Sequence, residues 1–361
     1  MKVPFIFLKR ESRQEWEVYQ RAFEVTARTG MYILGENVSK LERALASYLG
    51  AAYVVTVNSG TDALFLSMRA LDIATGDEVI TVGNSFIATV GAVTAAGATP
   101  VLVDVLDDQL IDPDRIEEKI TEKTKAIIPV HLTGRPADMQ RINAIAKKHG
   151  LFVIDDAAQS FGAVYRGKRY FDAHAACYSF HPLKNYHCLG DGGAIATNNE
   201  ALNRKLLQLR NHGINGRFSG CFGYNSRLDE IQASLLLSVM PSLDEKLRER
   251  RRKAVHYIDA LGDLVHVPSW DEAVMEPAFQ TFVVQTDQRD ELAAFLHAQD
   301  VETKVHYPIP CHQQDAWSLQ EGVNLPVTEM QAGKILSLPL SHLMTEQEQE
   351  YVIDSVRRFF V

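Results

Sequence analysis

Apolar and polar positions along the chain change their rhythm near residue 52. Before that point apolar residues recur at helical spacing. Glu11–Thr29 reads as one helix, and Leu41, Leu45 and Leu49 put an apolar face on a second, Ser39–Leu49, with Ser39 as its N-cap. Beyond it, short apolar runs alternate with helical stretches. The runs are Ala52–Val57, Glu78–Val82, Thr99–Asp104, Thr124–Val130 and Leu151–Ile154, separated by helices at Thr61–Leu71, Ser85–Ala96, Pro113–Ile120 and Ala137–His149. The runs lack strict alternation, which marks a sheet buried on both faces and mostly parallel. Strand following helix in this way is an α/β architecture. Ala175–Phe180 and Gly192–Thr197 add two strands. Helices follow at Glu200–Asn211 and from Leu228 onward, the second broken or kinked at Pro241. After residue 255 come strands at Leu264–Val267 and Ala278–Thr286 and helices at Arg289–Gln299 and Glu346–Phe360, a smaller α+β unit. The expected division is a large unit of residues 1–250 and a small one of residues 251–361.

Composition narrows the class. The 361 residues exceed the roughly 250–300 at which a single core stops growing, which agrees with two units. With 46% hydrophobic and 23% charged residues the chain is not disordered. Its 37 basic and 46 acidic residues leave a net charge of −9, with no global attraction for nucleic acid or an anionic membrane. Met1–Arg10 has no apolar core of signal-peptide length, and Ile87–Val103 is too broken to span a bilayer. Cys177, Cys188, Cys221 and Cys311 form no CxxC pair and no metal spacing, so they read as reduced thiols of a cytoplasmic protein without a metal site. The run Lys246–Lys253 (KLRERRRK), diluted by Glu245 and Glu249, reads as a solvated helix face.

Ligands of an open α/β sheet bind beyond the carboxyl ends of its strands. After the first strand stands Asn58-Ser59-Gly60-Thr61-Asp62, a helix start whose free N–H groups form an anion site. Taken alone, the segment also fits a plain N-cap. Neither GxGxxG nor GxxxxGK[ST] occurs. The strand Leu151–Ile154 runs into Asp155-Asp156, two carboxylates where charge is costly unless paired. After Ala175–Phe180 comes His181-Pro182-Leu183-Lys184-Asn185 and then the glycines 190, 192 and 193. A lysine in a desolvated pocket loses pKa and becomes a nucleophilic amine, although a loop lysine is more often a solvated one. His181 and His187 read as polar lining. An anion-binding helix start, a buried acid and a reactive lysine together meet the needs of pyridoxal phosphate: phosphate binding, a protonated ring nitrogen and an amine for the aldehyde.

Val57–Leu64 (VNSGTDAL), Val153–Gly162 (VIDDAAQSFG), Ser179–Asn185 (SFHPLKN), Gly190–Ala194 (GDGGA) and Gly223–Gln232 (GYNSRLDEIQ) resemble, in order, the motifs of the DegT/DnrJ/EryC1/StrS aminotransferases. The similarity runs over essentially the whole chain. These are pyridoxal-phosphate sugar aminotransferases of the aspartate aminotransferase (type I) fold. The resemblance therefore implies a large, mostly parallel-sheet domain and a small α+β one. By resemblance, Lys184 forms the Schiff base with the cofactor and then shuttles the proton. Asp156 contacts the pyridinium nitrogen, while Asp155 stands where the family often has Glu. Gln159 lies near the ring and its O3′, Phe86 stacks on the ring, and Gly60, Thr61 and Ser179 hold the phosphate. Asn225 reaches the phosphate of the neighbouring subunit's cofactor, which makes a homodimer part of the active site, and Arg227 borders that interface. The segment His306–Pro310 (HYPIP) resembles the loop that approaches the sugar, so His306 and Tyr307 are substrate candidates.

Two segments depart from the family. KNLG is replaced by Lys184-Asn185-Tyr186-His187, and VHLYGQ by Val130-His131-Leu132-Thr133-Gly134-Arg135. Both are expected near the substrate, which adds Tyr186 and His187 as candidates and leaves the sugar open. Relatives with histidine in place of the lysine are dehydratases, and Lys184 argues against that branch. The expected activity is transfer of an amino group, from L-glutamate, to a keto-sugar carried by a nucleotide. The competing readings are a non-catalytic or regulatory cofactor-binding homologue and another reaction on the same cofactor.

Overall fold

In the computed structural model, which describes residues 1–317, 319 and 322–361, the chain opens with helices α1 (Leu8–Gln14), α2 (Trp16–Thr29) and α3 (Glu36–Leu49). Strands and helices then alternate: β1 (Tyr53–Val57), α4 (Gly60–Ala70), β2 (Glu78–Val82), α5 (Ala88–Ala95), β3 (Thr99–Val103), α6 (Pro113–Ile116), β4 (Thr124–Ile127), α7 (Met139–His149) and β5 (Phe152–Asp156). The short β6 (Val164–Tyr165) precedes β7 (Ala175–Ser179), β8 (Gly193–Thr197) and α8 (Glu200–Leu209). A small hairpin, β9 (Ile214–Asn215) and β10 (Phe218–Ser219), leads to α9 (Glu230–Val239) and α10 (Leu243–Leu261). The chain ends with β11 (Met275–Glu276), β12 (Phe282–Gln285), α11 (Arg289–Ala298), α12 (Pro326–Ala332), β13 (Ile335–Leu338) and α13 (Glu346–Phe360).

The main sheet has seven strands in the order β1-β8-β7-β5-β4-β2-β3. Only β8 runs against its neighbours β1 and β7; the other pairings are parallel. All residues of β7 and β8 are buried, as are all but the first of β1, β2, β3 and β5. Apolar clusters cover both faces, which is why these strands read as continuous apolar runs. A separate core gathers α10, α11 and α13 around the antiparallel pair β12–β13. Val3 and Phe7 belong to that second core, and Val3 pairs with Val301, so the first residues of the chain pack with the small unit instead of the large one.

Several expectations are corrected. The first helix is two, with Glu15 between α1 and α2. Leu264–Val267 forms no strand and has only the single bridge His266–Gln285; α12 and β13 are additional elements of the small unit. Pro241 does break its helix, separating α9 from α10 by a short 3-10 turn. The basic run on α10 is only in part a solvated face: Arg248 and Arg252 are exposed, but Arg250 and Lys253 are buried. Ser39 is not a cap either. Helix α3 starts after Gly35, and its hydrogen bonds come from a distant acid: the buried Glu230 accepts from the N–H of Asn37 (3.0 Å) and Val38 (2.9 Å). A Cβ on Gly35 would sit 2.8 Å from the Glu230 carboxyl carbon, so the glycine admits the acid. A carboxylate at a helix N-terminus also gains from the helix dipole. Glu230→Ala leaves two buried donors unpartnered and is expected to cost about 2–3 kcal/mol, read as a shift of the urea midpoint at unchanged slope; a shift near zero would remove Glu230 as the cap.

Candidate functional site

Three segments meet beyond the carboxyl ends of the sheet. The first is the turn between β1 and α4. Ser59 caps α4, accepting from the Asp62 N–H at 3.0 Å, and leaves the first-turn N–H groups of Gly60 and Thr61 without helical partners. Two glycines let this turn approach its neighbours. A Cβ on Gly60 would lie 2.7 Å from Cβ of Ser179, and one on Gly193 would lie 2.4 Å from the carbonyl of Ser59. Ser179, at the end of β7, is thereby held against the N-terminus of α4.

The second segment is the end of β5. Strand alternation sends Asp155 and Asp156 to opposite faces. Asp156 accepts from the Thr89 hydroxyl (2.7 Å) and from the Ala158 N–H (3.2 Å). Asp155 is fully buried on the other side, 3.7 Å from His131, and burial pushes its pKa up.

The third is the loop after β7 that carries Lys184. Burial lowers the pKa of this amine, against the pull of the Asp156 charge. The loop is fastened on both sides of the lysine. The Asn185 N–H donates to the Gln280 side chain (3.0 Å), Asn185 Nδ2 donates to the Ala278 carbonyl (2.8 Å), and the Gln280 amide donates to the Leu183 carbonyl. Lys184 opens onto a cavity of about 350 Å³, walled by Phe5, Phe7, Arg250, Thr281 and His306 among others.

The remaining expected residues fall into three groups. Gln159 and Tyr307 belong to one network, with the Gln159 amide donating to the Tyr307 hydroxyl (3.2 Å) and accepting from the Thr133 N–H (2.8 Å). Phe86 is 55% exposed, its ring 5.7 Å from that of Tyr307. His306 lines the cavity and bonds Ser337 (2.8 Å); burial, then the charges of Lys184 and Lys304, lower its pKa to about 4. Asn225 is exposed, beside Ser226, whose hydroxyl bonds Asn58 next to the α4 turn. Arg227 donates to the Asn211 side chain (3.0 Å), and Asn211 is the bridge partner of Asn225.

Tyr186 is corrected: it lies in the core, stacked on Phe161, with its hydroxyl donating to the Leu236 carbonyl, so it offers a ligand nothing. His187 lines the cavity but is engaged by Glu11 (3.3 Å), which also takes Lys246 (3.0 Å). Among the described residues, no cluster of His, Cys, Asp and Glu is placed to hold a metal, and no helix is long and apolar enough to cross a membrane. Thr89, Gln280, Glu11 and Arg250 escaped sequence reasoning; only tertiary packing brings them to the site.

Residues 14–357 match the DegT/DnrJ/EryC1/StrS aminotransferase family. The chain is 42% identical over 361 residues to dTDP-3-amino-3,6-dideoxy-alpha-D-galactopyranose transaminase of Aneurinibacillus thermoaerophilus, covering 99% of both chains. It is 41% identical over 370 residues to a pleiotropic regulatory protein of Geobacillus stearothermophilus, covering 100% of this chain and 99% of that one. The crystal structure of NtdA from Bacillus subtilis with bound cofactor PMP superposes with a TM-score of 0.94 at 35% identity, covering 99% of this chain and 85% of that one. The groups described above fit such a cofactor: an N-terminal turn with free N–H groups for a phosphate, a fixed carboxylate for a ring nitrogen, and a desolvated lysine.

The ion cluster beside the lysine loop sets a pH dependence. Burial raises the Glu11 carboxyl, but His187 and Lys246 outweigh it and hold the pKa at about 2. Glu11 therefore contributes stability that is present above its ordinary 4.5 and fades as pH falls toward about 2. Burial lowers His187, but Glu11 outweighs it and the pKa is raised. Its contribution is complete below 6.5 and is lost as pH rises through the raised value. The pair is expected to be most stabilising between 4.5 and 6.5. In urea denaturation across pH, His187→Gln should flatten the loss on the alkaline side; an unchanged alkaline limb would refute this coupling.

Proposed function

The chain belongs to the DegT/DnrJ/EryC1/StrS aminotransferase family, and from that premise we propose that Lys184 and Asp156 are the centre of a transamination from L-glutamate to a keto-sugar carried by a nucleoside diphosphate. The fold is that of the type I pyridoxal-phosphate transferases, and the enzyme is a pyridoxal-phosphate-dependent nucleotide-sugar aminotransferase. The observation that carries the residue assignment is the desolvated amine of Lys184 within the field of Asp156, at the mouth of a cavity large enough for a small substrate.

Pyridoxal phosphate, when bound, supplies an electron sink that makes the Cα–H of an amino acid acidic. The protein supplies the rest. Gly60, Thr61 and Ser179 would hold the phosphate through N–H and hydroxyl donors at the positive end of α4. Asp156, fixed by Thr89 and the Ala158 N–H, would keep a proton on the ring nitrogen. Gln159 and Phe86 would fix the ring at its edge and face. Lys184, whose amine burial makes easier to deprotonate, would take the proton from the donor's Cα and hold it at Nζ for return on the far side of the transferred nitrogen. His306 and Tyr307 would face the sugar.

A second copy of the chain completes the site in this reading. Phe218 is 80% and Phe222 fully exposed, and Trp16 and Phe23 flank an apolar cavity of about 430 Å³ on α2 and α9. Exposed apolar surface of this kind marks an interface. Asn225, exposed and close in sequence to Phe222, would reach the partner's cofactor phosphate.

In the holoenzyme, L-glutamate should bleach the cofactor's absorption band and release 2-oxoglutarate. Lys184→Ala should abolish this and the borohydride-stable adduct. Asp156→Asn should keep the fold and slow the reaction by about 10²–10⁴-fold, the scale of a lost proton-transfer group. A borohydride adduct surviving in Lys184→Ala would refute the lysine assignment, and wild-type turnover in Asp156→Asn the acid. Light scattering should give twice the mass of one chain, and Phe222→Asp should lower both that mass and cofactor retention; a monomer with full activity would refute the shared site.

A further inference from the structure

We propose that Arg250 binds a carboxylate of the amino donor in the cavity that opens onto Lys184, an assignment that rests on the aminotransferase reading above. Six cationic side chains lie in the α10 run Lys246–Lys253. Five of them have a carboxylate partner: Lys246 has Glu11 and Glu15, Arg248 has Glu245, Arg251 has Glu276, Arg252 has Glu249, and Lys253 has Glu249. Arg250 pairs with none among the described residues. It is also among the most buried of the run, at 8% exposure. Its guanidinium gives two hydrogen bonds, both to neutral carbonyls: Nε to Phe279 (3.0 Å) and one Nη to Gln280 (2.9 Å). A guanidinium carries five N–H donors. A buried cation left without a counter-ion is costly, and a ligand anion relieves that cost.

The surroundings specify the anion. The cavity walled by Arg250 also contains Lys184, so a group held by Arg250 shares a chamber with the reacting amine. Thr281, on the same wall, has a buried hydroxyl with no hydrogen-bond partner. Lys304 lines the cavity as well, is exposed, and forms no ion pair among the described residues. The single acid of the cavity wall, Glu11, is engaged by His187 and Lys246. Besides Lys184 itself, the wall thus offers two cations that no carboxylate neutralises, Arg250 and Lys304, and the free Thr281 hydroxyl, a set that matches a dicarboxylate amino acid. The planar fork of Arg250 suits a carboxylate held in two-point contact. Burial lowers the Arg250 pKa to about 10, which still leaves the side chain charged at neutral pH.

Glutarate, a dicarboxylate without an amino group, tests the assignment by calorimetry on the holoenzyme. Wild type should bind it. Arg250→Met should weaken binding by about 10- to 100-fold, the scale of charge-assisted hydrogen bonds, and Arg250→Lys should fall between. Thr281→Val, which leaves the carbonyl contacts of Arg250 in place, should weaken binding by about 3- to 10-fold and keeps the test valid should Arg250→Met not fold. Binding of dTDP or UDP should be unchanged in all variants, and the concentration of L-glutamate at half-maximal conversion should rise with the glutarate dissociation constant. Unchanged glutarate affinity in the folded Arg250 variants or in Thr281→Val overturns the proposal. So does a selective loss of nucleoside diphosphate binding, which would assign Arg250 to the acceptor. Failure of the wild type to react with L-glutamate, with glutarate still bound, counts against the donor reading and not against the anion site.

Discussion

The seam between the lysine loop and the segment Ala278–Gln280 decides how the site is built. An amine that must stay desolvated cannot sit on a loop free to swing into water. Here both neighbours of Lys184 are tied, Leu183 by its carbonyl and Asn185 by its N–H, to one glutamine side chain, while the Asn185 amide holds the Ala278 carbonyl. The segment is itself fixed from two directions. Arg250 holds the carbonyls of Phe279 and Gln280. Gly134, at φ 93°, accepts from the Ala278 N–H, and any side chain at that position would strike the N–H groups of Phe279 and Gln280. The loop 131–135, the lysine loop and the approach to β12 are therefore set together. The same residues that enclose Lys184 join the main sheet to the second core.

How much of this is legible in the sequence follows from the range of each interaction. Continuous apolar runs announce the buried strands, because a sheet covered on both faces needs no alternation. Gly60, Asp156 and Lys184 are conspicuous because each follows such a run at the end where ligands bind. The misreadings share one cause. Ser39 has the chemistry of a cap, but Glu230, nearly two hundred residues later, does the capping. The run KLRERRRK has the charge of a solvated face, yet its α10 helix lies between two cores, and Arg250 and Lys253 point inward. Local sequence carries the propensity of a residue and not the partner that overrides it.

Charge makes the same point. A chain of net charge −9 binds anions only where backbone donors or unpaired cations are concentrated. The first case is the α4 turn, where glycines at 60 and 193 remove the side chains that would keep a ligand and neighbouring backbone away. The second is the cavity wall with Arg250. The two adjacent aspartates divide along the same line. Asp156 faces the site with defined donors, whereas Asp155 is fully buried on the other face, 3.7 Å from His131. Adjacent in sequence, they differ in role because strand geometry gives them opposite faces.

The departure Tyr186-His187-Cys188 shows what such a change does physically. Tyr186 fills the core against Phe161 and closes its hydroxyl on the Leu236 carbonyl. Cys188 is buried where a Cβ on Gly192 would meet its sulfur at 2.6 Å. His187 reaches Glu11 of α1, and Glu11 in turn takes Lys246 of α10. Three side chains after Asn185 thus anchor the loop to the core, the β8 edge and the N-terminal helix. Phe5 and Phe7, which precede α1, wall the cavity into which Lys184 opens. A change in the loop sequence therefore acts on that cavity through the position of α1, by way of His187 and Glu11. Tyr307, Gln159 and the exposed Phe86 stand together outside that cavity, tied to one another and not to α1.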